Sequence, residues 1–171
     1  KRTFPTQLIE ASAAMKHIKD NAEKYGLDPE KVFAVGFSAG GHLTGSLGTL
    51  WHLPQVYDAI DMPYGYNKPA GIMMIYPVVT ADMRYAPRGS FLALSGIDDP
   101  TQEELEPMSL EKHVDERSAP LFLVHTSDDA CVPVMNSLLM AKAYSAAGKR
   151  FELHVYPSAP HGMALGNDIT A

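Results

Sequence analysis

The sequence predicts an α/β fold, a mostly parallel sheet with helices on both faces. Two observations predict it. Short apolar runs of strand length alternate along the chain with segments of helical spacing, the pattern of successive strand–helix units. Two of those runs, Gly71–Val79 and Leu121–His125, are continuously apolar, as strands buried on both faces are. A chain of 171 residues suffices for one domain with a real core and is short for two.

The elements follow in order. From Thr6 to about Tyr25, Leu8, Ile9, Ala13, Met15 and Ile18 recur at three- and four-residue spacing, which predicts an amphipathic helix closed by Gly26. Leu27-Asp28-Pro29 reads as a turn and Lys31–Val35 as a strand. Gly36–Gly41 is glycine-rich, and the residues through about Leu50 suit a helix whose Gly45 and Gly48 allow close packing. Residues 51–70, with prolines and several tyrosines, read as irregular surface with a short turn of helix. The Gly71–Val79 strand comes next, then a mixed stretch over 81–117 with short helices. The Leu121–His125 strand, a helix from Val134 to about Gly148 and an alternating strand over Phe151–Tyr156 complete the pattern. A Pro/Gly-rich loop holding His161 follows.

Composition narrows the class. Apolar residues are 46% of the chain and charged residues 20%, ordinary for a globular domain and unlike a disordered or fibrous one. The net charge of −6, without a basic cluster, argues against nucleic acid as a partner. The apolar runs are too short for a membrane span. A single cysteine, Cys131, leaves no internal disulfide. It fits a cytoplasmic protein, and a secreted bacterial one could carry the same count.

The sharpest chemical signal is Gly36-Phe37-Ser38-Ala39-Gly40, placed between a predicted strand and a predicted helix. G-x-S-x-G alone arises by chance in about one chain of this size in twenty; in a strand–turn–helix it reads as a nucleophile elbow. Flanking glycines relieve the crowding of such a turn. The serine then stands at a helix N-terminus, where free N–H groups stabilise a developing oxyanion. A nucleophilic serine needs a base, and the base needs an orienting acid. The Leu121–His125 strand leads into Asp128 and Asp129, and the Phe151–Tyr156 strand leads into His161. Three such residues in the order Ser38, Asp129, His161, each after a strand, form the chain order of an α/β-hydrolase triad.

On these residues the chain resembles the α/β-hydrolase fold, and within it the small carboxylesterases of the acetyl-xylan-esterase-like and feruloyl-esterase-like group. The matching segments are Val35–Leu43, Leu123–Pro133 with Asn136-Ser137 after it, and His161-Gly162; Tyr25–Val32 also matches. The resemblance implies Ser38 as nucleophile, His161 as general base and acid, and the Ala39 N–H as one oxyanion donor. For the acid it favours Asp129, three residues before Val132-Pro133, over Asp128, which would be a helper or would shape the loop.

The resemblance also carries an expectation about extent. These esterases have a His-Gly-Gly-type oxyanion loop and further strands upstream of the first helix, and none precedes Thr6. The chain is therefore expected to be the C-terminal part of a single α/β-hydrolase domain of roughly 250–300 residues. Residues 81–117 are expected as a small cap insertion, where Tyr85, Phe91 and Leu92 could shape the substrate site. Loss of one oxyanion donor costs on the order of 10²- to 10³-fold in turnover.

Other residues carry plainer expectations. His42 is expected to pack or bond the backbone, Cys131 to be a small buried apolar group, the methionines to fill the core, and Met163 to line a pocket. His125 and His154 show no metal-ligand spacing. The expected function is a serine carboxylesterase on small-molecule or carbohydrate esters of short acyl groups, with no cofactor and no metal; oligomeric state is open. The alternatives are a serine peptidase resembling the prolyl-oligopeptidase group and a non-catalytic hydrolase-like binding protein.

Overall fold

In the computed structural model, residues 3–164 are described. Four strands, β1 (Phe33–Phe37), β2 (Gly71–Ile75), β3 (Leu121–Thr126) and β4 (Phe151–Tyr156), form one all-parallel sheet in the order β1-β2-β3-β4. The helices are α1 (Thr6–Asp20), α2 (Ala22–Tyr25), α3 (Ala39–Thr49), α4 (Pro54–Ala59), α5 (Arg88–Ser95), α6 (Gln102–Leu105) and α7 (Met135–Ala146). Strand, crossover and next strand follow in sequence, as a parallel sheet demands.

The first helix is interrupted at Asn21, whose N–H bonds the His17 carbonyl, and α2 closes on Gly26 in the left-handed conformation at φ 67°. The first strand lies two residues later than the apolar run suggests, so it delivers its C-terminal end directly to Ser38. The second strand stops at Ile75, and Val78 and Val79 are buried in the loop beyond it. Apolar content there reflects burial among side chains rather than sheet pairing.

Helices cover one face of the sheet. Gly45 and Gly48 let α3 lie so close that added Cβ atoms would come within 2.8 Å of Met74 and 2.4 Å of Ile72. On the same face, the α7 residues Met140 and Tyr144 join Leu121 and Leu123 in the main core, with Leu8, Leu47 and Leu50 from the helical layer behind. The opposite face carries Val35, Met73 and Phe122 in one row. Phe33, Val35 and Phe37 are exposed there, and Met73 is 40% exposed. Among the described residues no helix covers this face. The burial of β2 on both sides is corrected to burial on one, with Met73 on the open face.

Residues 81–117 form α5, α6 and two short 3₁₀ turns around a small second core of Val78, Ala81, Phe91, Leu105, Met108 and Val132. Asn136 ties this segment to α7. Its Oδ1 accepts from the Val79 and Thr80 N–H groups at 2.9 and 3.1 Å, and its Nδ2 donates to the Tyr85 and Pro133 carbonyls. His42 ties it to α3, its buried Nε2 donating to the Met108 carbonyl at 2.8 Å.

Candidate active site

Ser38 occupies the turn between β1 and α3 with φ 53° and ψ −120°, a left-handed backbone that a non-glycine residue adopts only where its surroundings enforce it. The enforcement is visible. Its N–H bonds the Ile75 carbonyl at 3.0 Å, and its own carbonyl accepts from Gly41, His42 and Val78. Gly36 makes the turn possible, because a Cβ there would lie 2.1 Å from the Gly40 carbonyl oxygen and 2.3 Å from Thr44 Oγ1. Gly40 has a different position, since a Cβ there would meet no atom within 4 Å. The second close approach falls to Gly41, where an added Cβ would lie 2.8 Å from Pro77 Cβ.

His161, in the loop after β4, brings its Nε2 to 2.8 Å from Ser38 Oγ and its Nδ1 to 2.7 Å from Asp129 Oδ2. A carboxylate only accepts, so Nδ1 carries the proton and Nε2 is left to accept from the serine hydroxyl. Asp129 follows β3, with its side chain 1% exposed. Burial pushes its pKa up, but hydrogen bonds from His161 and from the N–H groups of Val132 and Cys131 outweigh it and hold the carboxyl below the ordinary range. Asp128, the alternative acid, turns away and accepts instead from Ser158 Oγ at 2.5 Å and the Ala159 N–H at 3.2 Å. Tertiary placement thus separates the neighbouring acids: Asp129 faces His161, and Asp128 braces the 158–159 segment. Ala39 is the first residue of α3, where a backbone N–H has no partner within the helix.

Two residues at the site carried no functional signal in the sequence. His125 is fully buried; its Nε2 donates to the Val132 carbonyl at 2.9 Å, its Nδ1 accepts from Ser137 Oγ at 2.7 Å, and Asp129 Oδ2 lies 3.5 Å from Nε2. It links β3, α7 and the acid loop. Tyr76 is buried against the His161 ring. Periodicity reports neither, because each acts through contacts remote in sequence.

Cys131 is corrected from buried to exposed; its backbone N–H, not its thiol, serves Asp129. Met83 is exposed and Met73 largely so, which departs from core filling, whereas Met163 packs with Tyr76 and Ala159 beneath the His161 loop. His154 pairs with Glu152 on the surface. A cleft of about 470 Å³ opens beside the first turn of α3, lined in part by Ala39, Gly40, Leu43, Val78, Phe91 and Leu94. Of the three residues considered for the 81–117 segment, Phe91 lines it; Tyr85 and Leu92 do not border it. Among the described residues no group of His, Cys, Asp and Glu could hold a metal ion, and no helix is long and apolar enough to cross a membrane.

Comparison with known proteins agrees with this architecture. The sequence profile of the family described as BD-FAE matches residues 1–144. The chain is 39% identical over 163 residues to an endo-1,4-beta-xylanase B of Butyrivibrio fibrisolvens, covering 94% of this chain and 25% of that protein. It is 29% identical to an acetylxylan esterase of Xylanibacter ruminicola, covering 96% of this chain and 32% of the relative. The crystal structure of an acetyl ester-xyloside bifunctional hydrolase from Caldicellulosiruptor lactoaceticus superposes with a TM-score of 0.84 at 36% identity, covering 97% of this chain and 60% of the other. The chain thus spans a quarter to a third of the two curated relatives and under two thirds of the solved one.

Proposed function

The chain belongs to the BD-FAE family of α/β-hydrolases, and from that premise we propose that it carries the nucleophile, base and acid of a serine carboxylesterase acting on short acyl esters. The observation that carries the reading is the continuous hydrogen-bonded relay Ser38–His161–Asp129, at 2.8 and 2.7 Å. Ser38 Oγ attacks the ester carbonyl while His161 Nε2 takes its proton. The Ala39 N–H, at the N-terminus of α3, donates to the oxygen that becomes negative. As the tetrahedral intermediate collapses, imidazolium returns the proton to the departing alkoxide, leaving an acyl-serine. Water, deprotonated by the same nitrogen, then releases the acid. Asp129 stays ionised, holds the productive tautomer and stabilises the imidazolium; its depressed pKa suits that task.

For the substrate we propose acetyl or feruloyl esters of a polysaccharide. Support comes from the names of an acetylxylan-esterase relative and an acetyl ester-xyloside hydrolase of similar structure. The cleft beside Ala39 and Gly40 is largely apolar at Leu43, Val78, Phe91 and Leu94, which suits the acyl side of such an ester.

The test is hydrolysis of p-nitrophenyl acetate, with fluorophosphonate labelling and peptide mapping, on the full-length protein containing this chain. One adduct on Ser38 is expected, and Ser38→Ala is expected to lower kcat on the order of 10⁶-fold. Full activity in Ser38→Ala would overturn the assignment. Faster cleavage of a proline p-nitroanilide than of the ester would transfer the relay to a peptidase.

A further inference from the structure

We propose that Tyr76 is a positioning residue that holds the His161 imidazole between Ser38 and Asp129; the inference rests on the assignment of His161 as the base. Tyr76 directly follows β2 and takes φ 38°, in the left-handed region that bulky side chains avoid. Glycine would adopt that backbone without strain, yet the position holds a large aromatic that is 5% exposed. Strain of this kind persists where the surrounding structure over-determines the residue, and such residues cluster at functional sites.

The contacts show what is determined. The Tyr76 N–H bonds the Val124 carbonyl at 2.7 Å, fixing the residue to β3. Its ring stands against the His161 ring at 4.9 Å between centroids, tilted by 64°, the edge-on arrangement aromatic pairs favour. The ring of Phe37, the residue before Ser38, also packs on Tyr76, at 5.9 Å between centroids. The Tyr76 Oη accepts the Ala164 N–H at 3.1 Å, and Ala159 and Met163 complete the buried cluster. One side chain therefore touches the residue preceding the nucleophile, the imidazole itself and the backbone beyond it.

The mechanical consequence is specific. His161 lies in a loop, and its ring must satisfy two hydrogen bonds at once. The bonds fix the two nitrogens but leave the ring free to tilt about the line through them. The Tyr76 ring supplies a wall on one side, and its hydroxyl anchors the chain three residues after the histidine.

The experiment compares Tyr76→Leu, Tyr76→Phe and wild type in the full-length protein. It reads kcat and KM for p-nitrophenyl acetate, the pH–rate profile, the unfolding temperature and the low-field proton resonance of His161 Nδ1–H, identified by its loss in His161→Gln. For a folded Tyr76→Leu we expect kcat to fall 10- to 100-fold with KM changed less than about twofold, the scale of a small misplacement of a reacting group. The Nδ1–H resonance should broaden or vanish. Tyr76→Phe keeps the wall but loses the hydroxyl anchor, and should retain a third to two thirds of kcat with a broadened Nδ1–H resonance. Rates within twofold of wild type together with an unchanged resonance in Tyr76→Leu would overturn the proposal. If Tyr76→Leu does not fold, Tyr76→Phe decides: a partial kcat loss with a broadened resonance supports the anchor, and wild-type values for both overturn it. The resonance reads the geometry independently of turnover. An inactive wild type that shows it, losing it in Tyr76→Leu, would sink the esterase assignment while leaving the positioning role intact.

Discussion

At the scale of single residues, two pairs of neighbours behave differently for steric and electrostatic reasons. Gly36 and Gly40 flank Ser38 symmetrically in the motif, but only Gly36 faces backbone at a distance no Cβ tolerates. Gly36→Ala is therefore expected to destabilise the protein by about 3 kcal/mol and to abolish fluorophosphonate labelling of Ser38. Gly40→Ala should keep the wild-type unfolding temperature. Equal unfolding temperatures in the two variants would contradict this account of the turn. Asp129 and Asp128 are adjacent, but Asp129 bonds the imidazole and Asp128 bonds Ser158 and Ala159. Asp129→Asn should lower kcat on the order of 10⁴-fold by favouring the wrong tautomer. Asp128→Asn should cost less than about tenfold. The reverse ranking in steady-state kinetics would move the acid to Asp128.

At the scale of elements, the 81–117 segment is held to the hydrolase sheet by two buried polar side chains, His42 of α3 and Asn136 of α7. His42 makes this attachment sensitive to acid. Burial pushes its pKa down to about 4, against an ordinary value near 6.5, while the bond to the Met108 carbonyl works weakly the other way. Unfolding frees the imidazole to take a proton between those two values, so the unfolded state binds more protons there. Stability supplied by neutral His42 is thus complete above pH of about 6.5 and is lost as pH falls toward about 4. The loss is on the order of 3 kcal/mol. Chemical denaturation at pH 7 and pH 5 should show the wild type weakening more than His42→Gln, although the variant starts lower. A parallel decline in both proteins would remove His42 from the acid response.

At the scale of the whole molecule, the four-stranded sheet has a covered face and an open one. Phe33, Val35, Phe37 and Met73 present apolar surface on the open side, and β1 is a terminal strand of the described sheet. Such a surface associates or binds apolar probes when nothing covers it. The 171-residue chain made by itself should bind anilinonaphthalene sulfonate and show concentration-dependent light scattering. Val35→Thr with Met73→Thr should reduce both signals, since the changes cut apolar area without altering β-propensity much. A dye-free monomer at high concentration would contradict the prediction.

The sequence by itself determined much of this protein. Apolar runs of strand length marked all four strands, the first two residues early and the second four residues too long, and helical spacing marked α1 and α7, because side chains on one face of a helix repeat with its local geometry. The spacing around Ser38 located its turn, because a strand entering a helix at one residue requires small neighbours. The order of Ser38, Asp129 and His161, each after a strand, was legible because a parallel sheet brings the ends of its strands to one edge. Tertiary structure alone decided the remainder. Only packing across the sheet shows that Asp129 rather than Asp128 meets His161, that Val78 and Val79 are buried outside a strand, and that Cys131 is exposed. It alone shows Tyr76 and His125 beside the site. Those outcomes depend on residues tens of positions apart sharing a few ångströms, and no local repeat encodes such a meeting.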